Sequence, residues 1–261
     1  MKLHTGIVTV ISALCFSVCC AQLAAAGPWD NDDRGPGGRD ANVLMAQPFV
    51  FVGTVQDCGT PGSRIVTSAW LGGMGLPDDG TSPNGASSSA TDPHLGLLLN
   101  KNGPTTDCSA AGATIRGFRP GTPVSELGFD YRNGTHCGAG APRFNITTTA
   151  GFTYFAGCGD GTQTPAPQDP TQWTRVRFSN AQIFPAAPTN PPFLLGTTQV
   201  RSLDIVYDEG TDTASTSDPQ GVGLAAIDNI DVNGKFITAG KGIAPKMDNK
   251  LRRAREDADL D

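Results

Sequence analysis

Short apolar stretches alternate with turn residues along most of this chain, and this spacing limits the possible folds more than any other feature. The stretches are about 4 to 10 residues long, and none shows helical periodicity before the charged C-terminal segment. The 33 glycines and 20 prolines suit many short strands that are joined by turns. The sequence therefore predicts an all-β protein, an antiparallel two-sheet β-sandwich with flexible termini.

The predicted strands cover residues 49–55, 64–71, 95–100, 113–118, 124–132, 143–148, 152–156, 173–180, 199–207, 223–232 and 235–238. Leu127, Phe129 and Tyr131 alternate with polar residues, which predicts a strand with one solvated face. The stretches 203–207 and 224–227 are apolar on both faces, as in strands at the centre of a sheet. Asn233-Gly234 between the last two stretches predicts a tight two-residue hairpin.

The first 26 residues have the pattern of a secretory signal peptide. A lysine at position 2 precedes an apolar run from Ile7 to Cys20, and Ala24-Ala25-Ala26 offers a cleavage site. Residues 27–47 are predicted to be a flexible segment, 48–240 the sandwich domain and 241–261 a charged tail. We expect no transmembrane segment and a secreted location, extracellular or periplasmic. A lipid anchor at Cys20 is the alternative to cleavage after Ala26.

Four cysteines remain beyond the predicted signal peptide, and an even number in an exported chain indicates two disulfides. Four cysteines allow three pairings, of which Cys58–Cys108 and Cys137–Cys158 are favoured because a hairpin is predicted between the latter two. A metal site is the alternative, but no two of these cysteines have the spacing of zinc ligands.

The composition argues against several classes of function. The net charge of −6 and the lack of a basic stripe exclude nucleic acid as an expected partner. The chain has no HExxH, GxSxG or Walker motif and no GxGxxG after a strand, and His94 and His136 are its histidines beyond the predicted signal peptide. A glycosidase needs two facing carboxylates. Glu126 and Asp130 are about 13 Å apart along one strand, too far to serve as a retaining pair.

A polar face is predicted where strand 124–132 neighbours strand 173–180. Its aromatic ring and planar polar groups suit a carbohydrate ligand, and its candidate ligand-binding residues are Trp173, Arg175, Arg177, Glu126, Asp130 and Arg132. Two alternatives stay open at this point. The charged residues could form cross-strand salt bridges, and Trp173 could belong to the core.

The segment 223–237, GLAAIDNIDVNGKFI, resembles the closing strands of jelly-roll domains of the galactose-binding-like and carbohydrate-binding-module type. The upstream SLDIVYDEG is similar to the preceding strand in such domains, and HCGAGAPRFNITT followed by FTYFAGC resembles a motif of uncharacterised secreted bacterial proteins. The resemblance implies a jelly-roll arrangement and a structural calcium ligand at Asp228. Acidic residues crowd the loop beside it, so the candidate Ca²⁺ ligands are Asp208, Glu209, Asp212 and Asp228.

These observations predict a secreted, non-catalytic binding module for carbohydrate or a cell-surface glycan. Two alternatives remain, a polysaccharide-active hydrolase or lyase on a jelly-roll scaffold and a structural envelope protein. A cleft that joins Glu126 to a second carboxylate would favour the enzyme, and a shallow aromatic groove would favour the binding module.

Overall fold

The computed structural model describes residues 43–62, 65–78, 92–240 and 242–244. The predicted signal peptide of residues 1–26 and residues 27–42 of the predicted flexible segment lie outside this part of the chain. So does the predicted charged tail of residues 241–261, apart from 242–244. Residues 45–47 of the predicted flexible segment belong instead to a strand. No helix in the described part of the chain is long and apolar enough to cross a membrane.

The described chain is an antiparallel sandwich of two seven-stranded sheets, as predicted. Its strands are β1 (Met45–Val52), β2 (Val66–Leu71), β3 (Gly96–Lys101), β4 (Ser109–Arg116), β5 (Thr122–Pro123), β6 (Leu127–Arg132), β7 (Arg143–Thr148), β8 (Thr153–Gly157), β9 (Thr162–Pro165), β10 (Trp173–Arg177), β11 (Phe184–Pro185), β12 (Gln199–Tyr207), β13 (Leu224–Val232) and β14 (Lys235–Ile237). The first sheet has the order β1-β4-β12-β7-β8-β11, with β5 also on β12. The second has the order β2-β3-β13-β6-β10-β9, with β14 also on β13.

The two strands that are apolar on both faces occupy the sheet centres, which confirms that prediction. β12 lies between β4 and β7, and β13 lies between β3 and β6. Strands from the end of the chain are thus inserted between strands from its beginning and middle. This topology makes most pairings non-local in sequence.

The core lies between the sheets and is built from the alternate residues of each strand. Leu127, Phe129 and Tyr131 of β6 all point into it, as their alternation predicts. The rings of Phe129 and Phe144 join the two sheets, with centroids 5.7 Å apart. The other face of β6 is not solvated, contrary to the prediction, because Asp130 is completely buried.

Three short strands were not predicted, namely β5, β9 and β11. Each has two to four residues, ends in proline and lacks apolar alternation, so no periodic signal marks it. Residues 55–58, at the end of a predicted strand, instead form a one-turn helix in which the Asp57 carboxylate accepts from the Thr54 amide at 2.7 Å. Residues 242–244 also belong to the fold, because they pair along β2 through Ile243 and Ala69.

The hairpin and both disulfides are confirmed. Asn233 and Gly234 have φ of 60° and 72°, the left-handed backbone that a type I′ turn needs. Cys58 pairs with Cys108, and Cys137 pairs with Cys158. The second disulfide joins the loop that follows β6 to the end of β8, at one end of the sandwich.

Candidate functional site

The outer face of β6 and β10 brings together most of the residues of the predicted ligand face. The two strands are neighbours, with Trp173 opposite Arg132 and Arg175 opposite Asp130. Arg175 donates from Nε and Nη2 to the two carboxylate oxygens of Asp130, at 2.9 and 3.0 Å. Asn229 donates to the same carboxylate at 2.8 Å. This arrangement is the cross-strand salt bridge that the sequence left open as an alternative.

Arg177 is held in the same way by carboxylates of the neighbouring elements. Its Nη2 lies 3.2 Å from Asp231, and its Nε lies 3.7 Å from the exposed Glu126. Burial raises the pKa of Asp231 to about 6, and the nearby Glu126 carboxylate also favours its protonated form. Burial lowers the pKa of Arg177. The ring of Phe236 lies over Arg175 and Arg177, at 5.7 and 5.5 Å. Neither arginine is therefore a free donor for a ligand.

Trp173 is 2% exposed and packs with Leu76 and Ala166, apart from the main core. The prediction that its ring forms an exposed platform was wrong. Loop residues 75–77 and the turn around Gln168 fold over this end of the sheet, and neither was predicted to cover a strand. The alternative that placed Trp173 among packed residues describes the structure better.

A shallow cleft of about 400 Å³ lies beside Trp173, between loop 73–77 and turn 168–173. We call it the Trp173 cleft. Its lining mixes polar and apolar surface in about equal parts, and its residues are Gly73, Gly75, Leu76, Pro77, His94, Arg132, Gln168, Asp169, Pro170, Gln172 and Trp173. Arg132 donates to the Gln172 amide oxygen at 3.2 Å, which holds both side chains at the rim. The structure thus places Trp173 and Arg132 of the predicted face in one cleft.

The floor of the Trp173 cleft is a buried hydrogen-bond network. Gln168 donates to the Pro77 carbonyl at 3.1 Å and accepts from Asn229 at 2.6 Å. Asp228 accepts from the backbone amides of Leu76 and Asn229, at 2.7 and 2.6 Å. Burial raises the pKa of Asp228 well above its ordinary value. These contacts tie the loop, the turn and the bulge of β13 together, so the cleft is preformed.

Asp169 is the single carboxylate among the described residues that line the Trp173 cleft. It accepts from the Thr171 hydroxyl at 2.8 Å and from the Gln172 amide at 3.1 Å. These hydrogen bonds, that of Thr171 above all, lower its pKa. A carboxylate in this state is a poor general acid, because a general acid must hold its proton near the working pH.

The four predicted calcium ligands have protein partners. Arg143 donates to both carboxylate oxygens of Asp208, at 2.6 and 2.7 Å. Thr105 donates to Asp212 through its amide and hydroxyl, and His136 lies 2.6 Å from Glu209. Asp228 is instead held by Leu76 and Asn229. The described residues contain no group of three or more acidic, histidine or cysteine side chains that could hold a metal. Calcium binding stays a prediction, which thermal melts in calcium and in EDTA test.

The acidic loop after β12 already contains a cation from the protein itself. The Lys101 side chain is completely buried, and its ammonium donates to the carbonyls of Thr105, Asp107 and Asp208 at 3.0, 3.2 and 2.7 Å. The Asp107 carboxylate lies 3.2 Å from the same nitrogen. The Lys101 ammonium is thus surrounded by oxygens. It neutralises part of the negative charge of the acidic residues from which the calcium site was predicted.

A second cleft, of about 300 Å³, lies at the end of the sandwich beside the Cys137–Cys158 disulfide. We call it the Glu209 cleft. Its lining is Cys137, Gly138, Ala139, Gly140, Gly159, Glu209, Thr213, Ala214, Ser215 and Thr216. The buried ring of His136 lies behind it, with Nε2 2.6 Å from Glu209 and Nδ1 3.4 Å from the buried Asp218. The sequence did not predict this cluster, although the glycine-rich HCGAG segment marks its wall.

No family model, curated protein or solved structure matches this chain. The geometry of the two clefts is therefore the basis for proposing a function.

Proposed function

We propose that this protein is a secreted, non-catalytic module that binds carbohydrate in the Trp173 cleft. The observation that carries the proposal is the lining of that cleft. Protein sites for sugars combine an apolar ring surface with planar polar groups that hydrogen-bond to hydroxyls. The rings of Pro77 and Pro170 offer the apolar surface, and the amide of Gln172 and the guanidinium of Arg132 offer the planar polar groups.

The preformed floor of the cleft supports binding. Gln168, Asn229 and Asp228 join the elements on both sides of the cleft through buried hydrogen bonds. A preorganised site spends less free energy on ordering itself when the ligand arrives. The two disulfides are compatible with an exported protein, because disulfides persist in oxidising compartments.

The carboxylates favour binding over hydrolysis in this cleft. A glycosidase needs an acid and a second carboxylate on opposite sides of the scissile bond. Asp169 is the one carboxylate that lines the Trp173 cleft in the described chain, and its lowered pKa does not suit an acid. Glu126 lies outside this lining, beside Arg177.

A glycan array tests the proposal, run with calcium and with EDTA. The hits are then measured with Arg132→Ala and Gln172→Ala, and with Arg201→Ala as a matched control on an exposed position of β12. We expect each cleft variant to lose about 1–2 kcal/mol of binding free energy and the control to lose none. If both cleft variants bind as the wild type does, the ligand site lies outside the Trp173 cleft. If the wild-type protein degrades a glycan, the binding proposal is wrong and the alternative, a polysaccharide-active enzyme, is correct.

A further inference from the structure

The Glu209 cleft plays no part in the function proposed above, yet it contains a costly arrangement of charges. His136 is completely buried between Glu209 and Asp218, and the side chain of Asp218 is 2% exposed. Burying charged groups costs free energy unless they are paired. A sandwich of this kind needs no such cluster to form its core, so the cluster calls for a separate explanation.

The Glu209 carboxylate is fixed at the surface of the cleft. Its Oε2 is held by His136, and its side chain is 18% exposed. The wall against it is glycine: a Cβ on Gly138 would lie 2.8 Å from Oε2, and a Cβ on Gly140 would collide with Oε1. Any larger residue at these positions would displace the carboxylate. The disulfide Cys137–Cys158 anchors this glycine segment at one end.

The charge of the cluster is not balanced by the protein. Both ring nitrogens of His136 face carboxylate oxygens, one of Glu209 and one of Asp218. Two acidic side chains thus share one imidazole, so the acidic groups of the cluster outnumber its basic group. Arg143 donates to the Gly140 carbonyl of the cleft wall at 2.7 Å, but its ion pair is with Asp208, and Lys101 pairs with Asp107. Within the described chain, His136 is the one basic side chain in ion-pair distance of Glu209.

A second buried group points to the same location. The Tyr207 hydroxyl is completely buried and has no hydrogen-bond partner among the described residues. Burial raises the pKa of this hydroxyl, and the nearby carboxylates of Glu209 and Asp218 raise it further. Its ring meets that of His136 edge-on, with centroids 5.8 Å apart. An unused donor thus lies next to the ring of His136 and near the acidic groups that flank that ring.

We infer that the Glu209 cleft binds a protonated amino sugar, with the ammonium group paired to the Glu209 carboxylate. The hydroxyls of Thr213, Ser215 and Thr216 and the glycine backbone line the rest of the cleft and suit the hydroxyls of a hexose ring. Its volume of about 300 Å³ is at the small end for ligand sites, which fits one sugar unit better than a chain. This site is independent of the Trp173 cleft.

The test is an NMR titration of the disulfide-bonded protein with three probes, glucosamine, N-acetylglucosamine and methylammonium, at a pH where the amines are charged. We expect glucosamine to shift the amide signals of Gly138, Gly140 and Gly159, and N-acetylglucosamine to leave them unchanged. Equal shifts with the two sugars, or no shift with glucosamine, would overturn the inference. If methylammonium binds as tightly as glucosamine, the sugar ring contributes nothing to binding. That result would refute the assignment to an amino sugar and would indicate a site for ammonium groups in general.

Two variants locate the contact. Glu209→Gln keeps the shape of the side chain and removes its charge, and we expect it to weaken glucosamine binding at least tenfold. Asp160→Asn removes one charge beside the cleft but outside its lining, and we expect less than a twofold change. Unchanged binding in Glu209→Gln would refute the assignment. The comparison of the sugars on the wild-type protein keeps the test decisive if Glu209→Gln folds poorly. Shifts confined to the Trp173 cleft would support the proposed function and refute this inference.

Discussion

Arg175 and Asp130 form a two-point ion pair across β10 and β6, with nitrogen–oxygen distances of 2.9 and 3.0 Å. The Asp130 side chain is completely buried and that of Arg175 is 11% exposed. The pair thus serves the packing of the outer face of the sheet, and it removes both residues from any ligand surface.

Arg175→Gln should therefore destabilise the domain strongly. The variant leaves Asp130 buried without its main charge partner, a change that costs about 3–5 kcal/mol in comparable pairs. The free energy of unfolding in urea measures the loss. The double variant Arg175→Gln/Asp130→Asn should recover much of it, because no charge is then left unpaired. Arg201→Gln on the exposed part of β12 is the control and should change stability by less than about 0.5 kcal/mol. A loss of that small size in Arg175→Gln would contradict the prediction.

Asp231 should make the domain less stable as the pH rises from 4 to 6. Its pKa rises from 3.8 to about 6 on folding, so the native state holds its proton more tightly than the unfolded chain does. The contribution of Asp231 to stability is then greatest below pH 4 and falls until the folded carboxyl has ionised, by up to about 3 kcal/mol. The charged groups that face the Asp231 carboxyl are the Arg177 guanidinium and the Glu126 carboxylate.

The unfolding free energy of wild type and Asp231→Asn, measured at steps between pH 3.5 and 7, isolates this contribution. The difference between the two proteins should grow over that window, since other carboxyls contribute equally to both. A constant difference would show that Asp231 ionises normally in the folded protein.

Trp173→Ala should unfold the domain more easily whether or not a glycan is present. The buried ring packs against Leu76 and Ala166, and removing such a ring costs about 3–5 kcal/mol. Gln172→Ala at the neighbouring exposed position should cost little stability while it weakens glycan binding. A Trp173→Ala protein with wild-type stability would contradict the packing role of the ring.

Lys101→Met should also be strongly destabilising. The change removes the ammonium from three backbone carbonyls and from Asp107, which leaves buried acceptors unpaired at a cost of about 3–5 kcal/mol. Lys235→Met, at an exposed position of β14, is the control. Thermal melts of the two variants compare the effects, and equal melting temperatures would contradict a stabilising role for the Lys101 ammonium.

The two disulfides should contribute unequally. The bridges close loops of 50 and 21 residues, so chain entropy assigns about 4 kcal/mol to Cys58–Cys108 and about 3 kcal/mol to Cys137–Cys158. Urea unfolding of the two double Cys→Ser variants tests the order. Protein that begins near residue 27 should contain no titratable thiol, and two or more free thiols would contradict the pairing.

The sequence by itself determined the fold class, the predicted strands, the Asn233-Gly234 hairpin and the two disulfides. These features depend on local signals: alternation along a strand, turn residues with a required backbone conformation, and a cysteine count with few pairings. Phe129 was predicted to face the core because its neighbours along β6 alternate with it. The strands β5, β9 and β11 were missed because segments this short contain no period.

Only the tertiary structure decided the chemistry of the surface. Asp130 has the pattern of a solvated residue, but Asn229 and Arg175, 99 and 45 positions away, bury and pair it. Trp173 is covered by Leu76, which lies about a hundred positions earlier in the chain, and the Lys101 ammonium is held partly by the carbonyl of Asp208, 107 positions away. Burial and charge pairing depend on which segments meet across the sheets. These contacts join residues that are far apart in the sequence, so no local sequence pattern predicts them.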